Sequence, residues 1–212
     1  MKLLVLGASG RIGRWLIRLA VERGHDVDAL VRPGSVDKVP AGARIILGDP
    51  TDPETLGPIV FDHNTVLSAV GQRRAGLHPW ARLLSPPDLV EQVLGAIHSA
   101  ATNANQLRLI WMSAGGAGGT QPMLSPSVRR LTRTGNVGVA YRDLERAEAL
   151  DLGGRVEATA VRPVTLLPGD SGRSAVGVSR YKLTSVVRRG DVARWMIDAA
   201  ESNGNDQPAM IG

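Results

Sequence analysis

The chain has 212 residues, enough for one domain with a sizeable hydrophobic core. It contains no cysteine, which excludes disulfides, thiolate zinc sites and thiol nucleophiles, and its four histidines show no metal-ligand spacing. Its 25 basic residues outnumber its 20 acidic ones, giving a net charge of +5. The arginines are scattered among acidic residues without a basic run, which argues against nucleic acid as a partner.

The start of the chain has the pattern of a folded strand rather than that of a signal peptide. No apolar run approaches the ~20 residues that are needed to cross a bilayer. We therefore expect a cytoplasmic protein without a membrane partner.

The first predicted element is a buried strand that leads through a glycine-rich turn into a helix. Residues 3–6 are all apolar, as in a parallel strand covered on both faces. The following G-x-x-G-x-x-G spacing is a variant of the dinucleotide-binding fingerprint, in which glycines allow close approach of a phosphate to free helix N–H groups. A turn that needs glycine only for packing is the alternative. The predicted contact residues are Gly7, Ser9, Gly10, Arg11, Ile12 and Gly13.

The end of the second predicted strand indicates which dinucleotide is bound. An acidic residue about 20 positions after the glycines suits the ribose of NAD, whereas an arginine suits the 2′-phosphate of NADP. Arg32 lies 19 positions after Gly13, and the competing acid, Asp28, comes too early in the strand to reach a ribose. Ser35 would add a donor, and Arg11 could close over the same phosphate. The pattern favours NADP, with an ordinary exposed arginine as the alternative for Arg32.

The third and fourth predicted strands bring further residues to the same edge of the sheet. Asp49 follows strand 43–47 and could accept a hydrogen bond from the adenine amino group, or form a turn beside Pro50. Strand 65–70 ends in small residues against which a ribose could lie. The expected cofactor contacts at this strand end are Ala69, Val70 and Gly71.

The second half of the chain continues the alternation of helices and strands. Helices are predicted over residues 88–103, 139–150 and 192–201, the last capped by Asp191, and strands over 107–113, 156–161 and 208–211. This alternation predicts a doubly wound, mainly parallel Rossmann-type α/β sheet, formed by a single domain over residues 1–212. The strand reversal beside the first strand places a ligand over the glycine turn.

The predicted substrate side of this domain begins at Ser113. This hydroxyl ends a central strand ahead of a glycine-rich turn, where it could donate a hydrogen bond to a substrate carbonyl; it lacks the G-x-S-x-G setting of a hydrolase nucleophile. Segments 117–137 and 170–187 have little periodicity and are predicted to form a small lid or substrate wall. The cluster Arg129-Arg130-Arg133 would attract an acidic substrate or the cofactor phosphates, unless it is a solvated helix face.

These residues together resemble the atypical short-chain dehydrogenase/reductases, in the NAD(P)H-binding group that includes NmrA-like proteins and biliverdin reductase B/flavin reductase. The matching pieces are Gly7–Gly13, Leu30-Val31-Arg32, Gly48-Asp49, Met112–Gly115, Glu148 two residues before Leu150, Val161-Arg162-Pro163 and Gly190-Asp191-Val192-Ala193. The resemblance implies that NADP is bound by the glycine turn, Arg32, the ends of strands three and four, and the segment Pro163-Val164. It also implies that Ser113 and the helix containing Tyr141 flank the nicotinamide.

The sequence departs from the common Tyr-x-x-x-Lys pair of these enzymes, in which the lysine lowers the pKa of a catalytic tyrosine. Glu145 stands four residues after Tyr141, and a nearby carboxylate would raise the pKa of a tyrosine. Aligning on Glu148 instead puts Ala140 and Leu144 at the two positions. Tyr141 is therefore either a catalytic acid or a helix residue packed by its ring.

Two functions follow from these observations. The first is an NADPH-dependent reductase acting on a small planar or carbonyl acceptor of flavin, quinone or ketone type. The second is a non-catalytic NADP-sensing regulatory protein of the NmrA-like type. In either case we expect a monomer or homodimer.

Overall fold

In a computed structural model that describes residues 1–76, 78–101, 106–202 and 208–212, six parallel strands form one sheet. The strands are β1 (Lys2–Leu6), β2 (Asp26–Val31), β3 (Arg44–Leu47), β4 (Thr65–Ser68), β5 (Leu107–Met112) and β6 (Val156–Val161). Their order across the sheet is β3-β2-β1-β4-β5-β6, so the direction in which strands are added reverses beside β1. This order confirms the predicted doubly wound Rossmann-type fold.

Helices cover both faces of this sheet because successive residues of each central strand are apolar and point in opposite directions. The helices are α1 (Gly13–Glu22), α2 (Pro53–Phe61), α3 (Leu89–Ala100), α4 (Pro126–Thr132), α5 (Gly135–Ala149) and α6 (Arg189–Glu201). Leu3 and Val5 of β1 pack in one core with α1 and α6, whereas Leu4 and Leu6 pack in a second core with α2, α3 and α5. None of the helices in the described ranges is long and apolar enough to span a membrane.

Helix boundaries differ from the sequence-based ones in the second half of the chain. Helix α3 ends at Ala100 rather than near Asn103, and Asn103 itself lies outside the described residues. Helix α6 begins at Arg189, so the prediction that Asp191 is its cap is wrong. Asp191 stands in the first turn. Its carboxylate accepts hydrogen bonds from the N–H of Ser171 at 2.7 Å and from the hydroxyl of Ser171 at 2.9 Å. This carboxylate therefore fixes a preceding loop.

The segments that lacked periodicity contain short regular elements. Residues 117–137 include a 3₁₀ segment, Gly118–Met123, and helix α4. Segment 170–187 runs into strand β8 (Val186–Arg188), which pairs in parallel with β7 (Thr165–Leu167), a strand that precedes the segment, to form a separate two-stranded sheet. Strands of three residues are too short to show an alternating pattern. The strand predicted over 208–211 is reduced to isolated bridges of Ile211 with Pro163 and Gly177.

The start of α3 is capped by a side chain from another helix. Asp143 of α5 is fully buried, and its carboxylate accepts hydrogen bonds from the N–H groups of Val90 and Glu91 at 3.0 and 3.1 Å. The amide of Gln72 donates to the same carboxylate at 3.0 Å. Asp88, the residue at the cap position itself, makes no side-chain capping bond. Asp143 thus satisfies helix N–H groups that would otherwise lack partners.

Candidate functional site

The glycine turn is packed so closely that each of its three glycines is required. Gly7 has a φ of +71°, and a Cβ added there would lie 2.8 Å from the carbonyl carbon of Ala69 and 2.9 Å from the nitrogen of Val70. A Cβ on Gly13 would lie 2.2 Å from the carbonyl oxygen of Gly7. The N–H of Gly10 donates to that oxygen at 2.8 Å, and its own Cβ would approach the oxygen to 2.9 Å. The turn therefore lies directly against the end of β4.

The start of α1 fits a phosphate group. Its cap residue, Ile12, has helical backbone angles and an apolar side chain, so no side chain caps the first turn. No acidic residue occupies that turn either. N–H groups at an uncapped helix start, together with the positive end of the helix dipole, bind anions. The close packing of the turn and the uncapped helix therefore fit the pyrophosphate of a dinucleotide, held by the N–H groups of Arg11 and Ile12, because that of Gly10 is already donated to Gly7. Ser9 lies in the same turn and is half-buried.

The predicted 2′-phosphate site lies at the end of β2. Arg32 directly follows this strand and is exposed, and no carboxylate in the described ranges forms an ion pair with it. Its backbone carbonyl accepts a hydrogen bond from the N–H of Ser35 at 2.9 Å, which brings these two residues into one 3₁₀ turn. Lys38 ends the same turn and is also exposed. The turn thus presents two cations, a hydroxyl group and the carboxylate of exposed Asp37.

Asp28 cannot serve as the acid that would select NAD. It is buried in the sheet, where its carboxylate accepts hydrogen bonds from Nε and a terminal nitrogen of Arg44. His63 Nε2 lies 2.9 Å from the same carboxylate. The hydrogen bond from Arg44 lowers the pKa of Asp28, and the charges of Arg44 and His63 act in the same direction, against the opposing effect of burial. This cluster holds β2, β3 and the start of β4 together, away from the strand ends that carry Arg32.

Asp49 performs the turn-forming role that the sequence left open. Its Oδ1 accepts hydrogen bonds from the N–H of Thr51 at 3.0 Å and from the Thr51 hydroxyl at 2.8 Å. Asp49 is nevertheless exposed at the carboxyl end of β3, so an additional contact with adenine stays a prediction.

A second arginine that the sequence did not single out approaches the glycine turn. Burial, and then the positive charge of nearby Arg11, lower the pKa of Arg189 at the start of α6. Helices α1 and α6 pack side by side, which brings the two guanidinium groups together although they are far apart in sequence. No carboxylate in the described part of the chain pairs with either arginine. An anion bound at the turn would relieve their repulsion.

Ser113 is held in a buried polar cluster at the end of β5. Its hydroxyl donates to Oε1 of Glu148 at 2.5 Å. Arg162 binds the same carboxylate with two N–H groups, from Nε to Oε1 at 2.9 Å and from a terminal nitrogen to Oε2 at 2.8 Å. Gly118 packs against Oε2, where any Cβ would lie only 1.9 Å away. Sequence resemblance pointed to Glu148 and Arg162 as family positions, but it did not indicate the hydrogen bond between Ser113 and Glu148.

Tyr141 lies on α5 and points towards the turn after β5. Its hydroxyl donates to the carbonyl oxygen of Gly115 at 3.0 Å. Burial raises the pKa of Tyr141, and nearby Tyr181 adds to the increase. Glu145, which stands in the lysine position, accepts a hydrogen bond from Gln121 instead. The phenol is therefore a weak acid whose proton is already bonded within the protein.

The segment after β6 completes this side of the edge. The carbonyl oxygen of Pro163 accepts from the N–H of Gly115 at 2.8 Å, so Pro163 lies beside the turn that Tyr141 contacts. The N–H of Val164 donates to Ile211 at 3.0 Å and is thus engaged. Ser113, Tyr141 and Pro163, the last predicted as a cofactor contact, are thereby brought around one turn.

A cavity of about 280 Å³ opens beside Tyr141. Arg129, Arg133 and Arg142 line it, and none of them forms an ion pair within the described ranges. Arg130, the third member of the predicted cluster, does not line this cavity. A larger cavity of about 640 Å³ runs along edge strand β6 and is lined by Glu148 and Arg162. No residue of the glycine turn lines either cavity. We assign the smaller cavity to the substrate side because Tyr141, which is predicted to flank the nicotinamide, lines it.

Solved structures of other proteins share this fold. The anaerobillin reductase ChuY of Escherichia coli O157:H7 has a TM-score of 0.71 and 21% identity, covering 100% of this chain and 95% of its own. A short-chain dehydrogenase/reductase of Veillonella parvula has a TM-score of 0.71 and 15% identity, covering 100% and 92%. At these identities the likeness shows the fold alone.

Curated proteins match a shorter part of the chain. The photosystem II assembly factor Ycf39 of Synechocystis is 38% identical over 73 residues, which cover 32% of this chain and 22% of that protein. The divinyl chlorophyllide a 8-vinyl-reductase of Oryza sativa subsp. indica is 38% identical over 77 residues, which cover 32% and 19%. The matches thus span less than a quarter of either relative.

The family described as NAD(P)H-binding matches residues 7–203, from the first glycine of the turn to beyond the end of α6. This match includes the uncapped start of α1, the end of β2 and the Ser113 cluster. The chain therefore belongs to the NAD(P)H-binding family.

Proposed function

We propose that this protein is an NADPH-dependent reductase that delivers hydride to a small planar or carbonyl acceptor of flavin, quinone or ketone type. Bound NADPH would supply the hydride from its nicotinamide ring. The observation that carries the proposal is the glycine turn packed against β4, with Arg32, which forms no ion pair within the described ranges, at the neighbouring strand end. The reductase name of the divinyl chlorophyllide enzyme supports this reaction class.

The choice of NADP over NAD rests on charge. Arg32 and Lys38 are exposed cations on one turn, and Asp28, the acid that could have selected NAD, is engaged by Arg44. A guanidinium binds a phosphate with paired, charge-assisted hydrogen bonds, whereas the 2′-hydroxyl of NAD offers no charge. NADPH is therefore the expected ligand.

The acceptor would enter beside Tyr141. The cavity there is lined by Arg129, Arg133 and Arg142, whereas Glu145 of the same cavity is hydrogen-bonded to Gln121. This excess of positive charge favours an acceptor with an anionic group. The proposal includes a small-molecule substrate, a cytoplasmic location and a monomer or homodimer.

Titration of the protein with NADPH and NADH, followed by cofactor fluorescence, tests the cofactor assignment. We expect NADPH to bind about 10- to 100-fold more tightly, as one or two charge-assisted hydrogen bonds would give. Arg32→Ala should remove this preference. Arg18→Ala is the control, because Arg18 is an exposed arginine on α1 that lies over the Trp15 ring instead of at a strand end. Equal affinities of the wild type for NADPH and NADH would contradict the assignment.

The alternative is an NADP sensor of the NmrA-like type that does not turn over. Two observations favour it: a glutamate stands in the lysine position, and the Tyr141 proton is bonded to Gly115. Stopped-flow oxidation of bound NADPH by riboflavin, FMN, menadione and a panel of aldehydes separates the two functions. If any of these acceptors accelerates the oxidation of NADPH, the reductase is supported. If none of them does, the sensor is supported.

A further inference from the structure

The hydroxyl proton of Ser113 is already committed within the protein. A serine hydroxyl has one proton to donate and two lone pairs that accept. Ser113 donates its proton to Glu148 at 2.5 Å. An ionised carboxylate only accepts, so Glu148 in its ion pair with Arg162 cannot donate a proton back. The oxygen of Ser113 therefore has only acceptor capacity for anything that approaches from outside.

Three features keep the Ser113 hydroxyl donating to Glu148. The two N–H groups of Arg162 fix both oxygens of Glu148, and the fork geometry of a guanidinium holds a carboxylate in one orientation. Gly118 closes the space next to Oε2. The Glu148 side chain is only 7% exposed and Ser113 only 6% exposed. Water therefore competes little for the bond between them.

Strand order then limits which part of a dinucleotide can reach Ser113. In a doubly wound sheet the two halves of a dinucleotide lie on opposite sides of the switch point, across the carboxyl ends of the strands. With Arg32 and the 2′-phosphate on the β2 side, the nicotinamide half lies over β4 and β5. Ser113 directly follows β5. The nicotinamide carries a carboxamide, whose –NH₂ is a hydrogen-bond donor.

We propose that Ser113 accepts a hydrogen bond from the nicotinamide carboxamide –NH₂, and that Glu148 and Arg162 are positioning residues that give Ser113 this acceptor role. The assignment rests on the proposed NADP-binding function. It replaces the expectation that Ser113 donates to a substrate carbonyl.

Isothermal titration with NADP⁺ and with its 3-acetylpyridine analogue tests the proposal without turnover. The analogue has a methyl group in place of the carboxamide –NH₂ and keeps the carbonyl. We expect the wild type to bind the analogue about tenfold more weakly, as for the loss of one shielded hydrogen bond. In Ser113→Ala the two affinities should agree within about twofold, because the acceptor is gone.

A second variant tests the positioning role while keeping the serine. Glu148→Met combined with Arg162→Met removes the ion pair without leaving an unpaired buried charge. The Ser113 hydroxyl can then rotate and donate to the carbonyl that both ligands carry, so the tenfold difference should again vanish. The matched control is Glu91→Met with Arg146→Met, an ion pair between α3 and α5 that includes neither Ser113 nor Arg162. It should keep the tenfold difference.

The outcomes separate this inference from the proposed function. If the wild type binds NADP⁺ and its analogue equally well, Ser113 does not read the carboxamide and the inference is wrong, while the cofactor assignment stands. A tenfold difference that persists in Ser113→Ala, or in the Glu148/Arg162 double variant, also overturns it. If the wild type does not bind NADP⁺ at all, the proposed function fails and this inference fails with it.

Discussion

The two halves of the ligand edge are built by contacts of very different range. In the nucleotide half, Gly10 bonds to Gly7 and Ser35 to Arg32, each only three residues away. In the nicotinamide half, Ser113 reaches Glu148 over 35 residues and Tyr141 reaches Gly115 over 26. Local contacts follow from short sequence patterns, whereas long-range ones require helix α5 to pack on the sheet. The first half is therefore the part that a motif describes.

The halves also differ in whether their polar groups are already bonded within the protein. Arg11 and Arg32 in the nucleotide half are exposed and without an ion pair in the described ranges. In the nicotinamide half, the protons of Ser113 and Tyr141 are bonded to Glu148 and Gly115. On the proposed function, the first half would attract a charged ligand, and the second would orient that ligand once it is bound.

The largest effect is expected from filling the close contact in the nucleotide half. Gly13→Ala would place a methyl group 2.2 Å from the carbonyl oxygen of Gly7, so the turn must move. We expect NADPH affinity to fall by more than about 100-fold and stability by about 1–3 kcal/mol, as overpacked sites lose. Titration calorimetry and urea unfolding measure both. Gly95→Ala in α3, where a Cβ meets nothing within 4 Å, is the control and should gain about 0.5–1 kcal/mol. Unchanged NADPH affinity in Gly13→Ala would contradict the role of the turn.

A smaller effect should come from the buried polar cluster around Asp28, which lies within the sheet beside the nucleotide half. Because the pKa of Asp28 is lowered in the folded state, its ionised form stabilises the protein above the ordinary aspartate pKa of about 3.9. This contribution is lost as the pH falls through the lowered value. We expect Asp28→Asn to melt roughly 2–4 °C lower at pH 7 and the gap to narrow below pH 4. Differential scanning calorimetry from pH 7 to pH 2.5 measures it, and a gap that widens on acidification would show the sign to be wrong.

The smallest effect is expected for the tyrosine of the nicotinamide half. Burial raises the pKa of Tyr141, and its hydroxyl donates to the carbonyl oxygen of Gly115. Tyr141→Phe should therefore change the turnover of any acceptor identified by the stopped-flow experiment by less than about threefold. Stability should fall by about 1 kcal/mol for the lost hydrogen bond. Tyr181→Phe, which loses a hydrogen bond to Thr165, is the control. A tenfold drop in kcat for Tyr141→Phe alone would restore Tyr141 as the catalytic acid.

Strand positions were predictable because burial leaves a plain pattern. Strand β6 has the predicted bounds, and the second predicted strand ends immediately before Arg32 as expected. The exceptions have physical causes. The strands β7 and β8 are too short to show a period. Asp143, a surface-type residue in the helical pattern of α5, proves to be fully buried because it caps α3.

The sequence by itself determined the alternation of the sheet, the glycine turn and the arginine near it, because hydrophobic period and glycine spacing are local properties. Only the tertiary structure decided what the later residues do. The core that α5 shares with β5 and β6 brought Glu148 to the Ser113 hydroxyl, and packing of α6 on α1 brought Arg189 near Arg11. Hydrogen-bond direction and charge proximity depend on atoms that are distant in sequence, and no spacing rule encodes them.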